Sequence, residues 1–304
     1  MARGGSCVLI WRHSLSMADG LSNIAASVKQ RLLNKAREEE RAFDVLLIRF
    51  ALERLLYRLS LSQYRDRYIL KGGMLVTLWL EGGARETRDA DFLGFGEADE
   101  ETLKQIFAEI MAVPAEDGLV FDTDALTATA IREDMEYGGI RLRTSAYLER
   151  TRIPVVLDIG FGDALADAAH RIDYPSLLDM DRSSIRAYPP ASVIAEKFQA
   201  IVALGLANGR MKDFHDLWAI PKMVPINSDV LDAAIAATFA RRSTEVPANR
   251  PPGLSEDMAA DPAARRRWFA YGESLELTGV DFGEVLDDAW ALLGPSCERL
   301  NNGA

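Results

Sequence analysis

Apolar positions recur at helical spacing through residues 22–60. Val28, Leu32, Leu33 and Ala36 form one set, and Val45, Ile48, Leu52, Leu55, Leu56 and Leu59 form another, which predicts helices. The period then changes. Tyr68-Ile-Leu-Lys71 is a short apolar run ending on Gly72-Gly73, the pattern of a strand entering a turn. Met74–Leu80 predicts a short helix stopped by Gly82-Gly83, and Arg88–Phe95 predicts the next strand. Thr102–Met111 reads as a helix. Leu126–Arg132 and Gly139–Leu148 read as strands, the second alternating Ile140 and Leu142 with Arg141 and Arg143. Ile153–Phe161 is almost continuously apolar, as in a buried strand, and Asp158 is the charged residue within it. After Tyr188-Pro189-Pro190 the pattern is helical again: Ser192 is the expected cap of a helix over Val193–Leu204, and a second helix carries Arg210–Trp218. The tail from Ser228 is largely helical, broken at Pro247, Pro251 and Pro252.

This order predicts an α+β fold. Residues 1–20 are expected to be an extension, 21–190 a sheet-bearing domain with N-terminal helices, and 191–304 a mostly helical domain that completes the active site. A chain of 304 residues with 48% apolar content can bury a large core. Its two cysteines, Cys7 and Cys297, form no CxxC pair, and the histidines are only His13, His170 and His215. A structural zinc site and a disulfide framework are therefore excluded, which fits a cytoplasmic protein. The apolar patch Cys7–Trp11 is too short for a signal peptide, Met17 is an alternative start, and no membrane association is expected. The formal net charge of −11 argues against indiscriminate coating of nucleic acid. A polyanion would need a local basic patch. Arg141, Arg143, Arg150 and Arg152 offer one, Arg241-Arg242 a second and Arg265–Arg267 a third, although each also suits an ordinary solvated face.

Asp89 and Asp91 stand two apart in a predicted strand and so share a face. Two adjacent carboxylates repel, and each tends to hold a proton. A divalent cation relieves this. Mg2+, or Mn2+, takes one or two carboxylates together with substrate phosphates. Asp158 is the expected third metal ligand on a neighbouring strand, with an ion pair to Arg88 or Arg141 as the alternative. Lys71, Gly72 and Gly73 form a turn whose backbone amides can approach a phosphate. Glycine turn, helix and Asp-x-Asp strand in that order resemble the polymerase-β-type nucleotidyltransferase core. A second cluster lies further along. Glu196 and Lys197 share one helix; Arg210, Lys212, Asp213 and Asp216 share the next, with Asp213 and Asp216 on one face. A lysine there can meet the charge of a triphosphate, while an ion-paired pair of surface helices is the alternative; His215 is read as a packing or surface residue.

Leu55–Ser60, Tyr68–Met74, Arg85–Phe92, Asp158–Asp163, Ala195–Ala200 and Arg210–Leu217 together resemble the AbiEii/AbiGii toxin family of nucleotidyltransferases, over residues 25–245. The resemblance implies metal binding and catalysis by Asp89 and Asp91 and phosphate binding by Lys197. It also implies an Arg-x-Lys-Asp motif at Arg210, Lys212 and Asp213. It implies NTP as substrate, transfer of a nucleoside monophosphate to RNA such as the tRNA 3′ end, and restraint by a cognate antitoxin, often a winged-helix protein. Met74 departs from the core pattern, which usually places Ser or Thr after the second glycine, so Thr77 or Thr87 would supply the missing hydroxyl. A modifier of protein hydroxyls, a phosphotransferase and a non-catalytic nucleotide-binding module remain the competing classes.

Overall fold

The computed structural model describes residues 7–80, 86–96, 99–131, 139–162, 170–277 and 279–303, with side chains from residue 23 onwards. Two helices come first, α1 (Cys7–Glu38) and α2 (Phe43–Leu61). They are followed by β1 (Tyr68–Lys71), α3 (Gly73–Trp79) and β2 (Ala90–Gly94). The Asp99 carboxylate accepts from the Thr102 amide at 2.7 Å and so starts α4 (Glu100–Met111). Next are β3 (Leu119–Phe121), β4 (Thr127–Ile131), β5 (Gly139–Leu148), β6 (Thr151–Phe161), β7 (His170–Tyr174) and β8 (Ser183–Ala187). Helices complete the chain: α5 (Pro190–Leu204), α6 (Met211–Met223), α7 (Ser228–Arg241), α8 (Glu256–Ala260), α9 (Pro262–Ser274) and α10 (Phe282–Asn302).

Among the described residues the strands form one sheet of eight, in the order β3-β5-β6-β2-β1-β8-β7, with β4 on β5. β2 runs parallel to β6 and β1 parallel to β8; the remaining pairs are antiparallel. Mixed sheet plus segregated helices is the α+β arrangement that the element order predicted. The aromatic face of the sheet packs on α4: Phe107 lies 5.0 Å from Tyr68 and 6.2 Å from Phe92 between ring centroids. Because side chains alternate along a strand, Asp91 points to the opposite face from Phe92.

Several boundaries differ from expectation. Residues 1–6 of the expected extension lie outside the described residues, whereas residues 7–20 belong to α1. Gly82, Gly83, Arg85 and Asp163 also lie outside them. Ser192 does not cap α5 but is buried in its first turns. Pro190 opens the helix instead, because its fixed φ suits the first helical position and no backbone N–H is lost there. Strands β3, β7 and β8 were not expected. In composition and length Pro190–Ala207 could pass for a membrane span, yet half of it is buried, packed against α6 and α7.

α2 is the helix most deeply enclosed by the fold, and it carries charge inward. Asp117, fully buried, accepts from Arg54 Nε at 3.0 Å and from Arg58 Nη1 and Nη2 at 2.6 and 3.0 Å. The Leu119 amide adds a fourth donor at 3.0 Å. This arrangement pins the lead into β3 to α2, and removing Asp117 would strand two buried guanidinium groups, a loss of about 3–5 kcal/mol. Glu53, on the same helix, accepts from the Leu177 amide at 2.9 Å and from the Ser176 hydroxyl at 3.0 Å. Burial nevertheless outweighs these bonds and raises its carboxyl from 4.5 to about 7.

A prediction for pH follows from Glu53. Between pH 4.5 and 7 the folded chain binds the Glu53 proton more tightly than the unfolded chain, so this residue makes stability fall as pH rises through that window. The full difference is on the order of 3 kcal/mol. Glu53→Gln mimics the neutral form. Its melting temperature should equal that of the parent near pH 4.5 and exceed it increasingly towards pH 7; parallel pH profiles of the two proteins would show that Glu53 does not titrate this way.

Candidate active site

Register assembles the centre of the site. Lys71 on β1 lies opposite Asp91 on β2, Asp91 opposite Asp158 on β6, and Asp158 opposite Arg141 on β5. Paired residues share a face, so the sheet carries one row in the order Arg141, Asp158, Asp91, Lys71. Asp89 stands just before β2, two residues from Asp91. Three carboxylates are thus flanked by two cations.

The glycine turn is shaped around Asp91. Gly72 has φ +66°, and a Cβ placed on it would sit 2.0 Å from Asp91 Oδ2. The carboxylate occupies the space that a side chain at residue 72 would need, so only glycine fits there. The Gly73 amide, at the start of α3, donates to the same oxygen at 3.3 Å. Burial raises the Asp91 carboxyl from 3.8 to about 6; the Asp89 charge pushes the same way, Lys71 opposes it, Asp158 raises it and the Gly73 N–H lowers it. Thr87 donates to Asp89 Oδ1 at 3.0 Å, which orients the second carboxylate, while Thr77 donates to the Gly73 carbonyl within α3.

The helical half meets the charged row at Lys71, whose Nζ lies 2.9 Å from Glu196 Oε1 on α5 and 5.5 Å from the ring centroid of Tyr188. The next residue, Lys197, turns towards α6, 2.8 Å from Asp213 Oδ1 and 2.7 Å from Asp216 Oδ2, both carboxylates being buried. Arg210 Nε reaches Asp213 Oδ2 at 2.7 Å and remains half exposed. Lys212 is exposed on α6 and does not join this group. His215 is buried beside Trp218 and Tyr271, in a packing position. Glu196 and Asp216, which the sequence grouped with Lys197 and Asp213, and Arg141, weighed there as an ion-pair partner of Asp158, all belong to the assembly. The spacing of Asp213 and Asp216 on one helix face was the available signal for Asp216.

Asp158 is met on both oxygens by Arg141, Nε to Oδ1 at 2.6 Å and Nη2 to Oδ2 at 2.5 Å. This is the ion pair weighed against metal ligation in the sequence. Arg88 instead pairs with Asp44 at 3.2 Å. Of the other arginines of its segment, Arg143 lies two residues along β5, 3.5 Å from Thr129 Oγ1, and Arg152 donates to Ser145 Oγ at 2.8 Å near the β5–β6 hairpin.

Asp89 and Asp91 suit a hard divalent cation. They present oxygen donors on one face, and their mutual repulsion already favours a proton on Asp91. Among the described residues no group of three or more His, Cys, Asp or Glu side chains is gathered as a metal cluster.

A mixed sheet bearing a glycine turn, a carboxylate pair and a lysine-bearing helix defines a nucleotidyltransferase-type architecture. The chain belongs to the family described as "Nucleotidyl transferase AbiEii toxin, Type IV TA system", whose model matches residues 54–291. The fold is similar to that of MenT4, a nucleotidyltransferase toxin from Mycobacterium tuberculosis H37Rv, at 18% identity and TM-score 0.51, covering 91% of this chain and 98% of that one. Two Helicobacter pylori structures also match at 14% identity and TM-score 0.49: a putative nucleotidyltransferase covering 86% of this chain and 99% of its own, and JHP933, covering 86% and 95%. No curated protein matches the sequence.

Two outcomes are predicted for these residues. Gly72→Ala displaces the Asp91 carboxylate and strains a left-handed backbone position, so it should reduce transfer at least about 100-fold while destabilising the fold by only about 1–3 kcal/mol. An unchanged rate with the same loss of stability would separate Gly72 from the site. Lys197→Ala leaves Asp213 and Asp216 buried without their shared cation, which gives Lys197 a part in holding the fold. Chemical denaturation should show a loss of about 3–5 kcal/mol, and an unaltered midpoint would refute the structural role.

Proposed function

We propose that this chain transfers a nucleoside monophosphate from an NTP to the 3′ end of an RNA acceptor, with the tRNA acceptor end as the specific target. The observation that carries the reading is the row Arg141–Asp158–Asp91–Lys71 beside Asp89, within a family of nucleotidyltransferase toxins. Asp89 and Asp91 hold Mg2+, or Mn2+, which when bound offsets phosphate charge and lowers the pKa of the attacking hydroxyl. The Gly72–Gly73 turn fixes Asp91, and Thr87 orients Asp89. Lys71, Lys197 and Arg210 offer positive charge to the triphosphate, and Lys212 adds to it from the exposed side of α6. The acceptor 3′ oxygen forms a bond to the α-phosphorus as the bond to pyrophosphate breaks; the hydroxyl proton passes to water.

The acceptor's backbone is assigned to α9. Arg265, Arg266 and Arg267 are exposed, and the Arg267 guanidinium lies against Gly209, directly before Arg210. Arg267 thus brings one end of the run close to Arg210, whereas Arg150 and Arg152 lie at the β5–β6 hairpin. As a toxin of this family the chain acts in the cytoplasm under a cognate antitoxin, for which a winged-helix protein from the adjacent gene is the proposed partner.

Incubation with each α-labelled NTP and total RNA, beside a protein-only control, tests the reading. Label should enter RNA, and Asp89→Ala or Asp91→Ala should reduce it by about 1,000-fold, equivalent to about 4 kcal/mol. Label in protein alone would replace this reading with modification of protein hydroxyls. Joint replacement of Arg265, Arg266 and Arg267 by Gln should raise KM for RNA and flatten its salt dependence with KM for NTP unchanged. An unaltered salt slope would remove α9 from the interface.

A further inference from the structure

The Arg141–Asp158 pair bears on how many cations the site takes, and the inference rests on the metal reading just given. Three carboxylates, Asp89, Asp91 and Asp158, come together on one face of the sheet, at its central strands β2 and β6. A two-metal centre would use all three as ligands, because each divalent ion adds two positive charges that need anionic partners. Here one of the three is already matched. Arg141 engages both Asp158 oxygens in the fork geometry that a guanidinium and a carboxylate form best, at 2.6 and 2.5 Å. The contact is fixed by the backbone: Arg141 and Asp158 are opposite one another in the antiparallel β5–β6 ladder, and Asp158 and Asp91 are opposite in the parallel β6–β2 ladder. A one-residue slip that released the pair would send both strands' buried residues to the wrong face. Asp158 is also largely enclosed, with 17% of its side chain exposed, so losing the guanidinium would leave a poorly solvated charge. Arginine cannot give up its proton to avoid this, so the compensation is permanent.

We infer that Arg141 is a positioning residue that serves as a built-in cation: it withholds Asp158 from metal coordination, so the site takes a single divalent ion on Asp89 and Asp91. Asp89, Asp91, Asp158 and Glu196 set against Lys71 and Arg141 leave two net negative charges, which one divalent ion offsets and two would exceed.

Mn2+ titration of the metal-free full-length chain, read by the loss of the free-ion paramagnetic signal, tests the assignment without any turnover. The parent should bind one Mn2+ per chain. Arg141→Gln frees Asp158 and should tighten Mn2+ binding about tenfold or add a second ion. The double variant Arg141→Gln/Asp158→Asn removes both partners and keeps the local charge, so it should bind one Mn2+ within about threefold of the parent. It also leaves no uncompensated carboxylate, and so keeps the test decisive if the single variant unfolds. Two ions in the parent, or a double variant weakened tenfold or more, would show that Asp158 is a metal ligand and overturn the inference. So would a folded Arg141→Gln protein that binds as the parent does. Absence of Mn2+ binding by the parent would overturn the metal reading as well, an outcome distinct from the others.

Discussion

Like charges held in one row of a sheet repel, and the arrangement of this site is governed by that repulsion. Strand register places Asp158 beside Asp91, and Asp89 enters two residues away on the same face. Burial and the neighbouring charges raise the Asp91 carboxyl to about 6. The flanking elements answer the problem one by one. Lys71 lies on one side and Arg141 on the other, the Gly73 amide points at Asp91, and Gly72 leaves room for its carboxylate. What remains is a short row with a slight excess of negative charge, the electrostatic condition in which a hard cation is favoured.

The helical half is coupled to this row by the same kind of interaction. Glu196 reaches Lys71 across the boundary between sheet and helix, and its neighbour Lys197 holds two buried carboxylates of α6 together. Consecutive residues of α5 thus face two charged partners on different elements. A buried ion pair adds little net stability over an apolar contact but is severe when half of it is removed, so these pairs fix geometry more than they strengthen the fold. The opposite side of the molecule follows the same rule, with Asp117 held between Arg54 and Arg58. Around these charges one continuous hydrophobic core runs from α1 through the sheet to α10, so the sheet-bearing and helical portions share their interior.

Local pattern determined a good part of this. The helices of residues 22–60, the run into Gly72-Gly73, the Asp-x-Asp pair and the apolar β6 were legible because each depends on spacing within a few residues. So was the grouping of Arg210, Asp213 and Asp216 at the start of α6. Strands β3, β7 and β8 were not legible: β3 has three residues, and β7 and β8 are short and mostly polar or small, pairing with each other and joined to the sheet through the distant β1. Only the tertiary structure decided that Arg141 faces Asp158, that Glu196 meets Lys71, that Lys197 is clamped by Asp213 and Asp216, and that Arg267 lies against the residue before Arg210. The physical reason is that a charged side chain carries no mark in the sequence of which distant partner offsets it. Strand register and helix docking make that choice, and they are set by burial of the whole core.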